Sequence, residues 1–123
     1  MPVETVHRYT REMLQQRPGD LFLFGDNMSR VGRGGQAFAC RGEPNAVGLP
    51  TLWSPGIFFC DNDIVFADVR IAIDEAISKL RRHLRNGGTI VLPADGVGTG
   101  LARLPEMAPK IHAYIQSELD SLS

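Results

Sequence analysis

Short apolar runs alternate along the chain with stretches in which apolar residues recur every three or four positions. Continuous apolar runs at residues 21–24, 46–52 and 89–93 predict buried strands, the second of them interrupted by Pro50. A fourth run, residues 57–60, is typical of either a further strand or a segment that covers a ligand. The pattern of apolar runs therefore predicts several short strands rather than a few long ones.

Helical spacing of apolar residues predicts helices around these strands. The first helix ends in the turn of residues 17–20 and is indicated by Val3, Val6, Thr10 and Met13. A short helix is expected at residues 36–41, a long one follows the N-cap candidates at residues 61–63, and the last opens at Pro105. The apolar stripes of the last two helices consist of Phe66, Val69, Ile73, Ile77, Leu80 and Leu84, and of Met107, Ile111, Ile115, Leu119 and Leu122.

Helices between short buried strands indicate an α/β fold. We expect a three-layer α/β/α sandwich with a mixed, mostly parallel sheet, formed by residues 1–123 as a single domain. No apolar run approaches the roughly 20 residues that a membrane span requires, so we expect no membrane partner. The N-terminal segment is charged, and Cys40 and Cys60 lack metal-site spacing. We therefore expect a cytoplasmic protein with reduced thiols.

Two glycine-rich stretches follow directly on predicted strands and carry most of the chemical information. Residues 25–36, the first glycine loop, read GDNMSRVGRGGQ, and residues 94–100, the second glycine loop, read ADGVGTG. Glycine allows positive φ and lets a ligand approach backbone N–H groups, which together form an anion-binding concavity. Because ligands of open parallel sheets bind beyond the carboxyl ends of the strands, both loops are expected to border one cleft for a phosphate-containing small molecule.

The charge balance argues against nucleic acid as a partner, while the kind of basic residue is compatible with a smaller anion. The net charge is −1, unlike that of a domain that coats nucleic acid. Lysine occurs only at positions 79 and 110, and Arg30, Arg33 and Arg41 lie in or beside the first glycine loop. The guanidinium fork suits phosphate oxygens, although an arginine-rich surface encoded by a GC-rich genome explains the composition equally well. No stretch matches GxGxxG or GK[ST], which disfavours a dinucleotide-fold dehydrogenase and a P-loop phosphotransferase.

Together, the two glycine loops resemble elements of the macro domain and of its phage and bacterial relatives. In that family a strand leads into an Asn-containing, glycine-rich loop and a helix, as at residues 25–37 here. A later strand ends in a PAxGxG-type loop before a proline and the last helix, as at residues 93–105, with one extra residue before the glycines. The resemblance implies a reduced macro-like domain that binds ADP-ribose, and some members of the family hydrolyse ADP-ribose derivatives.

The resemblance also implies roles for individual residues. Asn27 would face the distal ribose and orient water, and Asp26 would accept a hydrogen bond from a base amine or a ribose hydroxyl. Asp95 is a candidate on its position alone, because a carboxylate at the end of a strand beside three glycines suits a general base or a ribose contact, so Asn27 and Asp95 are the predicted catalytic residues. The ligand would contact Gly25, Asp26, Arg33, Gly34, Gly35, Gln36, Gly96, Val97, Gly98, Thr99 and Gly100. Neither a metal nor a cofactor is implied.

Departures from the family's pattern leave other functions open. Asp26 and Asn27 are adjacent, whereas most macro domains carry the Asp on a separate, earlier strand. Leu101 stands where many members place an aromatic that stacks on the ligand. Asn and Asp also bond their own backbone in plain turns, which is the ordinary explanation for Asn27 and Asp95. A non-catalytic binder that sequesters a nucleotide signal, and a small protein-interaction module, are the alternatives; the oligomeric state is open, with a homodimer among the options.

The histidines and most aromatic residues receive ordinary interpretations. Three histidines fall on predicted helices away from the loops and are expected at the surface: His7, His83 and His112. Trp53, beside a turn, is the better candidate for a lid that stacks on a base, whereas Phe58 and Phe59 are expected to pack in the core or at a dimer contact.

Overall fold

Strands and helices alternate along most of residues 2–122, which a computed structural model describes. The strands are β1 (Val3–Val6), β2 (Leu21–Asp26), β3 (Ala46–Pro50), β4 (Leu52–Ser54), β5 (Ile57–Phe58) and β6 (Ile90–Pro93). The helices are α1 (Arg11–Gln16), α2 (Ala37–Cys40), α3 (Ala67–Arg85), α4 (Leu104–Met107) and α5 (Pro109–Asp120), with a 3₁₀ helix at Asp61–Val65 before α3. Within these residues, no helix is both long and apolar enough to cross a membrane.

The main sheet of the described chain has the strand order β1-β6-β2-β3, and every neighbouring pair is parallel. The central strands are apolar at nearly every position because helices bury both of their faces. β4 and β5 form a separate antiparallel hairpin. The expected α/β fold with a mostly parallel sheet is therefore confirmed, and the antiparallel pairing is confined to the hairpin.

Helices pack on both faces of the sheet, since successive strand residues point to opposite sides. Leu23 and Ile90 belong to the larger core, which α3 and α5 complete. Phe22 and Val91 belong to the smaller core, which α1 and α2 complete. The smaller core lies directly beneath the first glycine loop, and α2 therefore forms one side of the loop's support.

The predicted N-terminal helix is wrong over its first half. Val3–Val6 is an edge strand whose partner is β6, with Val3 opposite Ile90. The sequence VETV is rich in β-branched residues, which favour strands, and its spacing of three also fits a helix. The helix proper begins only at Arg11, where the Thr10 side chain caps it by accepting the Met13 N–H at 3.1 Å.

Two other helix starts differ from the prediction for local reasons. Residues 61–63 belong to the 3₁₀ helix and do not cap α3, because the Asp63 carboxylate accepts the Cys60 N–H at 2.8 Å. The last helix does not run from Pro105 without a break. Ala108 leaves helical geometry at φ −145°, since the residue before a proline disfavours the helical region, and α5 restarts at Pro109.

Some residues of the predicted apolar stripes also lie elsewhere than expected. Phe66 is half exposed and precedes α3, and Met107, at the end of α4, is exposed on a short helix of its own. The central positions of both stripes are buried as predicted: Val69, Ile73, Ile77, Leu80, Ile111, Ile115 and Leu119.

Candidate functional site

A cleft of about 860 Å³ opens at the carboxyl edge of the parallel sheet. The ends of β2 and β6 form its floor, and both glycine loops form its walls. The structure brings together all the predicted catalytic and ligand-binding residues, and each of them lines the cleft: Gly25, Asp26, Asn27, Arg33, Gly34, Gly35, Gln36, Asp95, Gly96, Val97, Gly98, Thr99 and Gly100.

An ion-pair network holds the first glycine loop in place. Arg41 donates to both carboxylate oxygens of Asp26, at 2.6 Å and 3.0 Å, and Arg30 donates to one of them at 3.1 Å. The Asp26 side chain is only 3% exposed, so its charge is compensated inside the protein. The absence of a side chain at Gly48 makes room for this network, because a Cβ there would lie 2.5 Å from Asp26 Oδ2.

The same network ties down the carbonyl groups of the first glycine loop. Arg41 donates to the carbonyl oxygens of Val31 and Gly32, and the Asn27 carboxamide donates to Val31 O at 2.7 Å. These two carbonyl groups are thus bonded to side chains. The N–H groups of residues 32–36, in contrast, have no acceptor within the described chain. The first glycine loop therefore borders the cleft with unpaired donors, as an anion site requires.

Positive φ angles and close packing shape the second glycine loop, together with one side-chain hydrogen bond, which Thr99 Oγ1 donates to Asp95 O at 2.9 Å. Gly96 and Gly98 have φ values of +84° and +74°, which other residues rarely adopt. Gly98 also fits closely, since a Cβ there would lie 2.7 Å from Leu104 Cβ and 3.1 Å from Thr51 Cβ. The N–H groups of residues 97–101 likewise have no acceptor in residues 2–122.

Residues 7–9 form a third wall of the cleft, which was not predicted from the sequence. Gln36 connects this wall to the first glycine loop, because its side chain accepts the Tyr9 N–H and donates to His7 O, both at 2.9 Å. His7 Nδ1 lies 3.5 Å from Asp95 Oδ1, which connects the wall to the second glycine loop. The prediction that His7 lies on a helix away from the loops is therefore wrong, and it failed because β1 was mistaken for helix.

Tyr9 fixes this wall to the floor of the cleft. Its hydroxyl donates to Leu23 O at 2.8 Å and to Val91 O at 3.2 Å, and so bridges β2 and β6. Burial raises the pKa of the phenol far above its ordinary value, so the hydroxyl is a permanent donor. Tyr9 is a structural residue beneath the site and is unsuited to proton transfer.

The free positive charge of the cleft comes from Arg8 and Arg33. Both side chains line the cleft, and neither has a hydrogen-bond or ion-pair partner among the described residues. Arg30 and Arg41 differ, since both are paired with the Asp26 carboxylate, which compensates one of their two positive charges. The predicted role of Arg33 at the ligand thus fits its surroundings, and Arg8 is a residue that sequence reasoning missed.

The cleft contains no cluster suited to a metal ion. Among the described residues, no group of three or more His, Cys, Asp or Glu side chains could hold one. Asp95 is three-quarters exposed, and its Oδ1 lies 3.5 Å from His7 Nδ1.

The family to which the chain belongs follows from its sequence over nearly its whole length. A family model described as a family of unknown function (DUF7831) matches residues 4–118. The chain belongs to this family. No curated protein and no solved structure matches the chain. The matched range of the DUF7831 model includes both glycine loops and the third wall.

Trp53, the predicted lid residue of this DUF7831 member, does not lie where the prediction placed it. Trp53 does not line the cleft: its indole donates to Asp63 at 3.0 Å, and its ring packs edge-on against Phe59 and Phe66. Phe59 is buried in the core, as expected. The exposed aromatic residue of the cleft wall is Phe38 on α2. In the sequence AFAC it is the one large residue among small ones, which are buried, and this pattern is the sequence signal that could have identified it.

Proposed function

We propose that the cleft binds ADP-ribose or a related nucleotide phosphate. One observation carries this proposal: two glycine loops, distant in sequence, border the same cleft with backbone N–H groups that have no acceptor among the described residues. Backbone N–H groups arranged in such concavities bind phosphate oxygens. The cleft volume of about 860 Å³ lies within the range of small-molecule sites, which is roughly 300–1,000 Å³.

Charge and surface character support a nucleotide rather than a simple anion. Arg8 and Arg33 add two uncompensated positive charges to the N–H donors. The same cleft is lined by exposed apolar side chains, among them Val31 and Leu101. A ligand that satisfies both kinds of surface has a charged part and a flat or apolar part, as a nucleotide does.

The mostly parallel α/β fold is compatible with the resemblance to macro domains. We take β1, which precedes the first glycine loop, as the counterpart of the family's separate, earlier strand. His7 and Arg8 follow this strand, where most macro domains carry an Asp. A reduced macro-like domain therefore remains our proposal for this chain, with a basic rather than an acidic contact at that position.

Binding without catalysis is the function that the geometry supports best. Both ends of the Asn27 carboxamide are engaged by Val31, its Nδ2 at 2.7 Å from the carbonyl and its Oδ1 at 3.4 Å from the N–H. Asp26 is occupied by two arginines. Asp95 is the predicted catalytic residue whose carboxylate is open to the cleft, and a hydrolase would depend on it.

Isothermal titration with ADP-ribose, with AMP and NAD as comparison ligands, tests the proposal. We expect micromolar or tighter binding, and we expect Arg33→Ala to weaken it by about tenfold, since a charged hydrogen bond contributes roughly 1.5 kcal/mol or more. Arg85→Ala is the matched control, because Arg85 lies at the end of α3 and outside the cleft. Absence of heat with every nucleotide, combined with self-association or capture of a protein, would favour the interaction module instead.

Prolonged incubation separates a binder from an enzyme. A binder leaves ADP-ribosylated substrates intact, and Asp95→Ala then changes neither affinity nor product. Product that forms with the wild type and disappears with Asp95→Ala would establish a hydrolase, and the proposal of a pure binder would be wrong.

A further inference from the structure

Phe38 differs from the other aromatic residues of the chain in its surroundings. Its side chain is 71% exposed, and no ring or cation contact involves it among the described residues. Tyr9, the other aromatic that lines the cleft, is buried and fully hydrogen-bonded. Phe38 is thus the aromatic face that the described cleft offers to a ligand.

The exposure of Phe38 does not come from a loosely held backbone. Its neighbours Ala37 and Ala39 are buried in the smaller core, and Cys40 beside them is buried as well. Arg11 donates to the Phe38 carbonyl oxygen at 3.0 Å and joins α2 to α1. The helix is therefore fixed on its inner side, and the Phe38 side chain is exposed on its outer side.

Other exposed apolar groups border the same cleft. Val31 is 50% exposed and Leu101 is 83% exposed, and both line it with Phe38. Leu101 also brings the two glycine loops together, since its Cδ1 lies 3.2 Å from the position of a Cβ on Gly34. Apolar surface concentrated at a cleft with unpaired N–H donors indicates a ligand site.

We propose that Phe38 is the stacking platform for the nucleobase of the ligand. This inference rests on the proposed nucleotide function. It adds a contact for the nucleobase, which is the part of the ligand that the glycine loops do not recognise. Every nucleobase has a π-face that stacks on an aromatic ring, and such contacts are sequence-tolerant. The glycine loops bind the phosphates, and Phe38 distinguishes a nucleotide from a sugar phosphate.

Titration with paired ligands tests this assignment. ADP-ribose carries a base, whereas ribose 5-phosphate and inorganic pyrophosphate do not. Phe38→Ala is expected to weaken ADP-ribose binding by about five- to one-hundredfold, the range that base–aromatic stacking supports, and to leave pyrophosphate binding unchanged. Phe38→Trp is expected to restore the affinity, and its indole fluorescence is expected to be quenched when ADP-ribose binds but not when pyrophosphate binds.

Phe66→Ala provides the matched control, because Phe66 is a second exposed phenylalanine and lies outside the cleft. It is expected to bind ADP-ribose as the wild type does. Wild-type affinity for ADP-ribose in a folded Phe38→Ala variant would overturn the stacking role and leave the proposed function intact. An equal loss for ADP-ribose and pyrophosphate would assign Phe38 a structural role and also overturn the inference. Failure of the wild type to bind any of these ligands would instead refute the proposed function itself.

Discussion

The two glycine loops border the same cleft, yet they are held in different ways. In the first glycine loop, side chains hold the backbone, since Asp26 binds Arg41 and Arg41 binds two loop carbonyl oxygens. In the second, the backbone conformation itself suffices: Gly98 has a positive φ and lies against Leu104 and Thr51. The first arrangement depends on charges that are distant in sequence, and the second depends on the absence of a side chain.

This difference predicts which substitutions each loop tolerates. The first glycine loop depends on its ion pairs, although Gly32 and Gly35 in it also have positive φ values of +92° and +58°. The second contains no ion pair except the solvent-exposed contact of Asp95, and it depends on close packing. Removing the Asp26 charge should therefore be the most damaging change in the first glycine loop, and adding a methyl group at Gly98 the most damaging change in the second.

The largest expected effect follows from Asp26→Ala. It leaves Arg41 without its carboxylate partner near the protein interior, and breaking a buried pair on one side costs about 3–5 kcal/mol of unfolding free energy. Urea denaturation followed by circular dichroism measures this loss. Asp95→Ala is the control and should change stability by less than about 0.5 kcal/mol, because exposed pairs contribute little. Equal losses in the two variants would contradict the contrast between the loops.

Gly98→Ala should have the next largest effect. An alanine must adopt φ near +74° and must displace Leu104 or Thr51, and the combined strain and overpacking cost about 2–4 kcal/mol. Gly100→Ala is the matched control in the same loop, because a Cβ there meets nothing within 4 Å and its φ is not positive. Thermal melting of both variants decides the matter: if Gly100→Ala melts as low as Gly98→Ala, the loop is not held by packing at Gly98.

The smallest expected effect is a loss of unfolding free energy at alkaline pH, caused by Cys40 in α2, the helix that supports the first glycine loop. Burial raises the pKa of the Cys40 thiol from 9.0 to about 12. The folded protein therefore keeps a proton that the unfolded chain releases, so stability is complete below pH 9 and falls as the pH rises toward 12. We expect a loss of about 1 kcal/mol at pH 10.

Denaturation curves at pH 8 and pH 10 test this expectation. The Cys40→Ala variant should lose less stability between these two pH values than the wild type does. Cys60→Ser, which changes an exposed thiol, should behave as the wild type. An undiminished loss in Cys40→Ala would show that another group causes it.

Local patterns in the sequence predicted the parts of the molecule that local forces determine. The apolar runs gave β2, β3 and β6, and the glycines of residues 94–100 indicated a tight loop, because positive φ at Gly96 and Gly98 is a property of single residues. Both loops were expected at one edge of the sheet on topological grounds, and the cleft lies there.

Features that depend on contacts between distant residues were not predicted. The sequence gives no sign that Arg41 binds Asp26 or that Gly48 leaves room for the pair, since each residue is ordinary in its own segment. The third wall was missed because VETV fits a helix and a strand equally, and only its pairing with β6 decides between them. Phe38 was passed over because its exposure follows from the burial of Ala37 and Ala39.

The strand order has a consequence for the way the molecule acquires its site. β2 pairs with β3, its next strand along the chain, but the cleft floor also needs β6, and β1 joins the sheet through β6, from Val3 opposite Ile90 to Val6 opposite Pro93. Contacts between such distant residues raise the contact order, and closing long loops slows folding. A refolding chain therefore forms the support of its first glycine loop before it has anywhere for a ligand to bind.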